Sequence, residues 1–293
     1  MDMTSTSTSA KYQPFPVLLK PFRSLGRGVL GMFAELGQIA VFALKTIYLL
    51  PTTVRHYRQQ TMKTTNSMAW GSGSIIVDGG VISLMFFLGV AVGAVVSIQA
   101  FTALDLLGFG PLTGIIGSFA NIRVIAPIIT GIGFAAQAGC RMTAEIGSMR
   151  ISEEIDATES MGLQAIPFVV GTRLIGGMLV VLPGYLMALV VSFVSGSFIV
   201  KVMHRQPAGT YDHYFSQFLS VPDLAASVAK ALIFCAVVTI IHCYYGYFAT
   251  GGPAGVGAAS GRAIRASLVA IVVLNFCMTV AIWGLSPLLQ FKG

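Results

Sequence analysis

Polar positions are sparse along this chain and leave long stretches bare of charge. Gly79–Leu104 lies between Asp78 and Asp105, and Leu106–Cys140 is interrupted only by Arg123. Leu174–Val200 lies between Arg173 and Lys201, Ala231–Gly261 between Lys230 and Arg262, and Ala266–Gln290 fills most of the gap from Arg265 to Lys292. A transmembrane helix needs roughly 20 apolar residues, and each stretch supplies them. The pattern predicts five spans, at 80–104, 116–140, 174–199, 226–249 and 263–287. The N-terminal region reads differently. Charges at Glu35, Lys45 and Arg55 leave only short apolar intervals, too short to span. At about 100° per residue, Glu35, Gln38 and Lys45 share one narrow arc of an otherwise apolar Gly31–Leu50. This predicts an amphipathic helix lying in the membrane interface and ended by Pro51, with a tilted span and a snorkelling Lys45 as the alternative.

Composition supports a membrane protein. Of 293 residues, 55% are hydrophobic and 10% charged, against about 25% charged in a soluble domain. That excludes an ordinary cytosolic enzyme, a secreted disulfide scaffold and a disordered chain. The net charge of +7 comes largely from a cluster ahead of the first long apolar run: Lys11, Lys20, Arg23, Arg27, Lys45, Arg55, Arg58 and Lys63. Without a recognition motif this reads as a segment facing anionic lipid in the cytoplasm, with no nucleic-acid partner. An N-in, C-out arrangement of five spans puts 1–78, 141–173 and 250–265 inside and leaves only Lys201, Arg205 and Lys292 outside, as the positive-inside bias requires. Residues 1–13, rich in Ser and Thr, are expected to form a disordered tail, not a signal peptide. Residues 14–78 are expected to form basic interfacial or elbow helices, and 79–293 the five-helix domain with an outside loop at about 200–225.

The four cysteines form no CxxC, the four histidines no HExxH, and neither a GxSxG elbow nor a GxxxxGK[ST] loop occurs. The expectation is a chain that is not an enzyme and binds no metal, cofactor or nucleotide of its own. GxxxG pairs at Gly89/Gly93, Gly110/Gly114 and Gly257/Gly261 are expected to pack helices within one subunit.

One segment breaks the apolar pattern. Arg141–Gly162, RMTAEIGSMRISEEIDATESMG, carries Glu145, Glu153, Glu154, Asp156 and Glu159 of the 11 acidic residues in the chain. Ser152 is a plausible N-cap that puts Glu153 and Glu154 in a first turn favoured by the helix dipole, and Gly162 suits the C′ position. A short acidic helix at about 150–162, exposed inside the cell on a chain without a nucleotide site, suggests a coupling helix that docks on a partner ATPase.

AEIGSMRISEEIDATESMG resembles the signature of the MlaE/YrbE permeases, the membrane subunits of MCE-type lipid transporters. Gln99 in AVVSIQAF, Pro127, Ala138–Gly139, Arg173 and the Gly-rich GYFATGGPAGVGAASGRAIRAS are similar to family positions as well. The resemblance runs from about residue 80 to the C-terminus. The basic N-terminal stretches and the HRQPAGTYDHYFSQF loop look most like the actinobacterial YrbE branch. The sequence departs from the pattern in several places. The family RELGP is Arg123-Val124-Ile125-Ala126-Pro127, without its carboxylate. Gln137 stands where an arginine is common, Thr172 where a proline precedes Arg173, and Asn275 where an Asp is common. Intramembrane charges are usually functional, so these losses suit one half of a heterodimer whose other half keeps the fuller pattern.

The resemblance implies a permease paired with a second YrbE-type permease, an ABC ATPase dimer carrying ATP and Mg in the cytoplasm, and MCE proteins outside. It implies movement of lipids, such as fatty acids or related envelope lipids, across the cytoplasmic membrane, with import the usual direction. The ATPase contact is expected at Glu153, Glu154, Ile155, Asp156, Ala157, Met161 and Gly162, with Glu145 and Arg173 supporting the helix roots. Ser97, Gln99, Phe101 and Asn121 are candidates for the lipid path. A scaffold that only anchors MCE proteins is one alternative. An ion-coupled secondary transporter is another, less favoured because the span centres hold no Asp or Glu.

Overall fold

The computed structural model describes the backbone over residues 16–71 and 79–284, and side chains over 34–71, 79–207 and 209–284. The expected tail, Asp78 and Lys292 lie outside the described residues, as do the side chains of Lys20, Arg23 and Arg27. Among the described residues every extended regular element is helical. Nine helices follow in order: α1 Pro16–His56, α2 Arg58–Trp70, α3 Val81–Asp105, α4 Gly110–Ile151, α5 Glu154–Ser160, α6 Ile166–Met203, α7 Ala208–Phe218, α8 Val221–Tyr247 and α9 Gly252–Trp283. The chain divides into two compact units, 1–43 and 44–293. The first holds the earlier part of α1. The second holds the rest of α1 and every other described helix.

Six segments are long and apolar enough to cross a membrane. Five are α3, α4, α6, α8 and α9, in the positions expected of the five spans. The sixth, Ala34–His56, has a mean hydropathy of 1.2, against 1.7 to 2.6 for the others. Its lower value reflects the polar arc of Glu35, Gln38 and Lys45. Pro51 does not end α1, which continues to His56. Proline removes one backbone donor, but the following turn is tied down elsewhere: buried Thr53 donates its hydroxyl to the Pro167 carbonyl at the start of α6, at 3.2 Å.

The helices also overrun the charge-free stretches. Arg141–Ile151, expected as loop, is the last part of α4, and α9 begins at Gly252 instead of about 263. Leaving hydrocarbon does not stop a helix without a breaker, and α4 carries its own i,i+4 ion pair, Arg141 to Glu145 at 2.8 Å.

Small residues set a close approach between α3 and α6. A Cβ on Gly89 would lie 2.6 Å from the Ala188 carbonyl oxygen, and one on Gly93 would collide with the Ser192 carbonyl. This first GxxxG is spent inside the chain. Gly114 likewise lies against the backbone of α7 at Tyr211. Gly257 on α9 has nothing within 4 Å.

α4 carries two π-helical turns, Asn121–Ile125 and Ala135–Gly139. The first has a cause in the sequence. The Ala126 N–H reaches back to the Asn121 carbonyl, and Pro127 has no N–H. The carbonyls of Ile122 and Arg123 therefore lose the donor of the next turn. Two residues one turn apart on α8 replace it: Ser227 donates to Ile122 at 2.6 Å, and Lys230 to Arg123 at 2.7 Å.

Candidate functional site

The segment after α4 folds as a separate short helix, α5, held at both ends by main-chain geometry. Ser152 is not its N-cap. The Ser152 amide and hydroxyl both bond back to the Ser148 carbonyl, at 2.9 and 3.0 Å, closing α4. Glu153 takes the N-cap position in the left-handed region, φ 59°, with no side-chain cap. The first turn accordingly holds Glu154 and Asp156, and Glu153 lies just before it. At the other end Gly162 has φ +80°. Its N–H donates to Glu159 and that of Leu163 to Thr158, the paired bonds of a Schellman cap. Glycine suits this position because a Cβ is penalised there.

α5 has one inward face. Ile155 is 0% exposed and Thr158 is buried, three residues apart on one side. Ile155 therefore has no surface to offer a partner, which corrects its expected place in the ATPase contact: it is the pin that holds α5 to its own chain. Glu153, Glu154, Asp156, Ala157, Glu159, Met161 and Gly162 are exposed, Met161 by 71%. Asp156 is bridged by Arg150 at 2.6 Å, and Tyr247 of α8 donates to Glu159 at 3.4 Å. Ile151 and Leu163, at the two ends of the segment, are exposed as well and enlarge its apolar surface. The sequence reading missed both because they fall outside the acidic run.

Behind α5 lies a charge cluster that ties three helices. Glu145 accepts from Arg141 at 2.8 Å through one carboxylate oxygen and from Arg173 of α6 at 3.1 Å through the other. Arg141 also reaches the Ser67 hydroxyl on α2, at 2.9 Å. Glu145 and Arg173, 28 residues apart, are thus brought together on either side of the α5 segment.

Of the four lipid-path candidates, three are buried and one is exposed. Ser97 is buried where α3 meets Gly196 of α6. Phe101 is buried and stacked on His204 at 4.0 Å. Asn121 is buried and donates to Ser192 at 2.8 Å. Gln99 is exposed. Ser97 and Asn121 thus meet the same stretch of α6, at Gly196 and Ser192. The polar cluster that sequence reasoning missed is elsewhere. Arg123, whose motif lacks its carboxylate, pairs with Asp223 at 2.8 Å, and Trp283 donates to the other Asp223 oxygen at 2.7 Å. Arg123 and Asp223 are 100 residues apart, so no local motif announces the pair.

The sequence was compared with known proteins. The family model described as Permease MlaE matches residues 74–281. A probable ABC transporter permease protein of Rickettsia bellii is 25% identical over 264 residues, covering 90% of this chain and 98% of the relative. One from Synechocystis is 28% identical over 245 residues, 82% of this chain and 88% of the relative. The chloroplastic protein Trigalactosyldiacylglycerol 1 of Arabidopsis thaliana is 27% identical over 188 residues, 64% of this chain and 54% of its own length. Its name is that of a glycolipid. With the family model matching most of its length and six helices apolar enough to span, this multi-pass membrane chain belongs to the MlaE permease family.

Proposed function

We propose that this chain is the membrane subunit of an ATP-driven lipid transporter, with α5 as the coupling helix for a cytoplasmic ABC ATPase. The observation that carries the reading is the two-sidedness of α5. Ile155 roots it in the chain, while Glu153, Glu154, Glu159 and Met161 are exposed for a partner. Acidic side chains complement a basic groove, and a Met side chain adapts to an apolar one. Glu145, shared by Arg141 and Arg173, joins the root of α5 to α6, so displacement of α5 by a closing ATPase is passed to the spans. Nucleotide and Mg belong to that ATPase in this scheme. A ligand-driven shift needs different contacts in the two states, and the exposed face of α5 is where they form.

The cargo in this proposal is an acyl lipid. Its support is the family membership and the glycolipid name of the Arabidopsis relative. The finer scheme rests on the sequence resemblance: the actinobacterial YrbE branch, the cytoplasmic membrane with N-in and C-out, a second permease, MCE proteins outside, and import of fatty acids or related envelope lipids. The losses at Gln137, Thr172 and Asn275 favour the heterodimer.

The test is mild-detergent co-purification from the native cell, with proteins and lipids identified by mass spectrometry, on the natural chain and on Glu154→Lys. The expected result is an ATPase, a second permease and MCE proteins with the natural chain, and loss of the ATPase alone with the variant. Equal capture of the ATPase by both chains would remove α5 as the docking element. Capture of MCE proteins without any ATPase, even with nucleotide present, would favour a scaffold.

A further inference from the structure

The end of the bundle that carries α5 also holds a half-open cavity of about 240 Å³, bordered by α2, the start of α3, the middle of α4 and Arg173 of α6. Its wall has a sequence basis. α2 is a polar helix, RQQTMKTTNSMAW, and it turns Gln60, Lys63, Thr64 and Ser67 toward the cavity. Those positions are spaced i, i+3, i+4, i+7, a single helical face. Opposite them stand Gln137, Arg141, Glu145 and Arg173.

Three cations therefore share one carboxylate among the described residues, and Glu145 is already bonded to both arginines. The Arg173 side chain is only 12% exposed, and its Nε is buried without a hydrogen-bond partner. Arg173 is the buried cation of the three, whereas Lys63 is exposed and the Arg141 side chain is 37% exposed, so both are open to a ligand entering the cavity. The surroundings indicate where such a ligand comes from. α2 exposes Met62 and Trp70, and Trp is enriched at membrane–water interfaces. A pocket for a drug-sized ligand has roughly 300–1,000 Å³. This one accepts a headgroup and leaves acyl chains outside.

We propose that this cavity binds the phosphate-bearing headgroup of an anionic lipid from the adjoining leaflet. The site shares Arg141, Glu145 and Arg173 with the charge cluster that roots α5, and it goes beyond the proposed permease role by giving that cluster a ligand. A lipid held here by Lys63, Arg141 and Arg173 would cement α2 to α4 and α6.

The test is native mass spectrometry on the full chain, with whatever subunits accompany it, titrated with phosphatidylglycerol, phosphatidylcholine or inorganic phosphate. The variants are Lys63→Glu and Gln60→Glu, both on the polar helix α2, with Lys63→Arg as the charge-preserving control. Monodisperse elution checks their folding. The expected result is one saturable phosphatidylglycerol per chain, bound more tightly than phosphatidylcholine and not displaced by millimolar phosphate. Affinity should fall about tenfold or more in the two Glu variants and hold in Lys63→Arg. Displacement of the lipid by inorganic phosphate, with the same sensitivity to the variants, would make this a site for a soluble phosphate and overturn the lipid assignment. Equal lipid retention in all variants, or equal binding of phosphatidylcholine, would overturn the site.

Discussion

Lys230 illustrates how one side chain can answer a defect in another helix. It is completely buried, and its ammonium donates to the Arg123 carbonyl at 2.7 Å and to the Thr279 hydroxyl at 2.9 Å. The first acceptor exists only because Pro127 withholds a backbone N–H. Lys230→Met keeps the stem and deletes the donors, leaving that carbonyl unsatisfied at a cost of about 1–3 kcal/mol. Pro127→Ala supplies a main-chain donor in the same place. In the Pro127→Ala background, Lys230→Met should therefore cost less, by about 0.5 kcal/mol or more. Thermal unfolding of the four chains in detergent measures this coupling, and strictly additive losses would refute the assignment. The pair was half-legible in the sequence. Proline announces a missing donor, but nothing local says that the replacement lies 107 residues away. Arg123 and Asp223 teach the same lesson. The missing carboxylate of the motif could be read from the sequence, whereas its replacement on α8 required the fold.

For α5 the decisive contrast is between a buried pin and an exposed tip. Ile155→Ala removes a fully buried side chain and, by the usual range for such truncations, costs about 2–5 kcal/mol if the whole cost is felt locally. Amide exchange across 154–160 should then accelerate, and ATPase binding should weaken because the helix is no longer held in place. Met161→Ala removes a side chain that is mostly outside the chain. It should leave exchange across α5 unchanged and weaken ATPase binding alone. Equal exchange rates in both variants would mean that Ile155 does not anchor the helix. The acidic run made the existence of this helix legible, and Gly162 marked its end. Its start was misread because Ser152, an ordinary N-cap residue, bonds to Ser148 of the preceding helix instead. The left-handed Glu153 that separates the two helices has no sequence signature, since positive φ is rare for Glu.

At the scale of the whole chain, charge-free length located the five principal spans but not their ends, because helices continue into water wherever no residue stops them. Nor did it find the π turns: Pro127 marks the missing donor of the first, but the groups that satisfy the freed carbonyls lie on another helix. The GxxxG pairs were equally visible in the sequence and turn out to be unlike. Gly93 presses on the Ser192 carbonyl of α6, whereas Gly257 faces open space on α9. Without a hydrophobic drive between helices in lipid, close backbone approach is a main source of their association. Gly93→Ala inserts a methyl group where backbone already stands, and overpacking of that kind costs about 1–3 kcal/mol. Gly257→Ala meets no neighbour, and in a helix interior the change to Ala gains roughly 0.5–1 kcal/mol. The melting temperature of the isolated chain in detergent should therefore fall for the first and hold or rise for the second. Equal losses would mean that the α3–α6 seam is not a tight contact of this bundle. A Gly257→Ala chain that melts normally alone but no longer co-purifies with a second permease would identify this stretch of α9 as a surface reserved for assembly, a role that the packing of one chain leaves open to it.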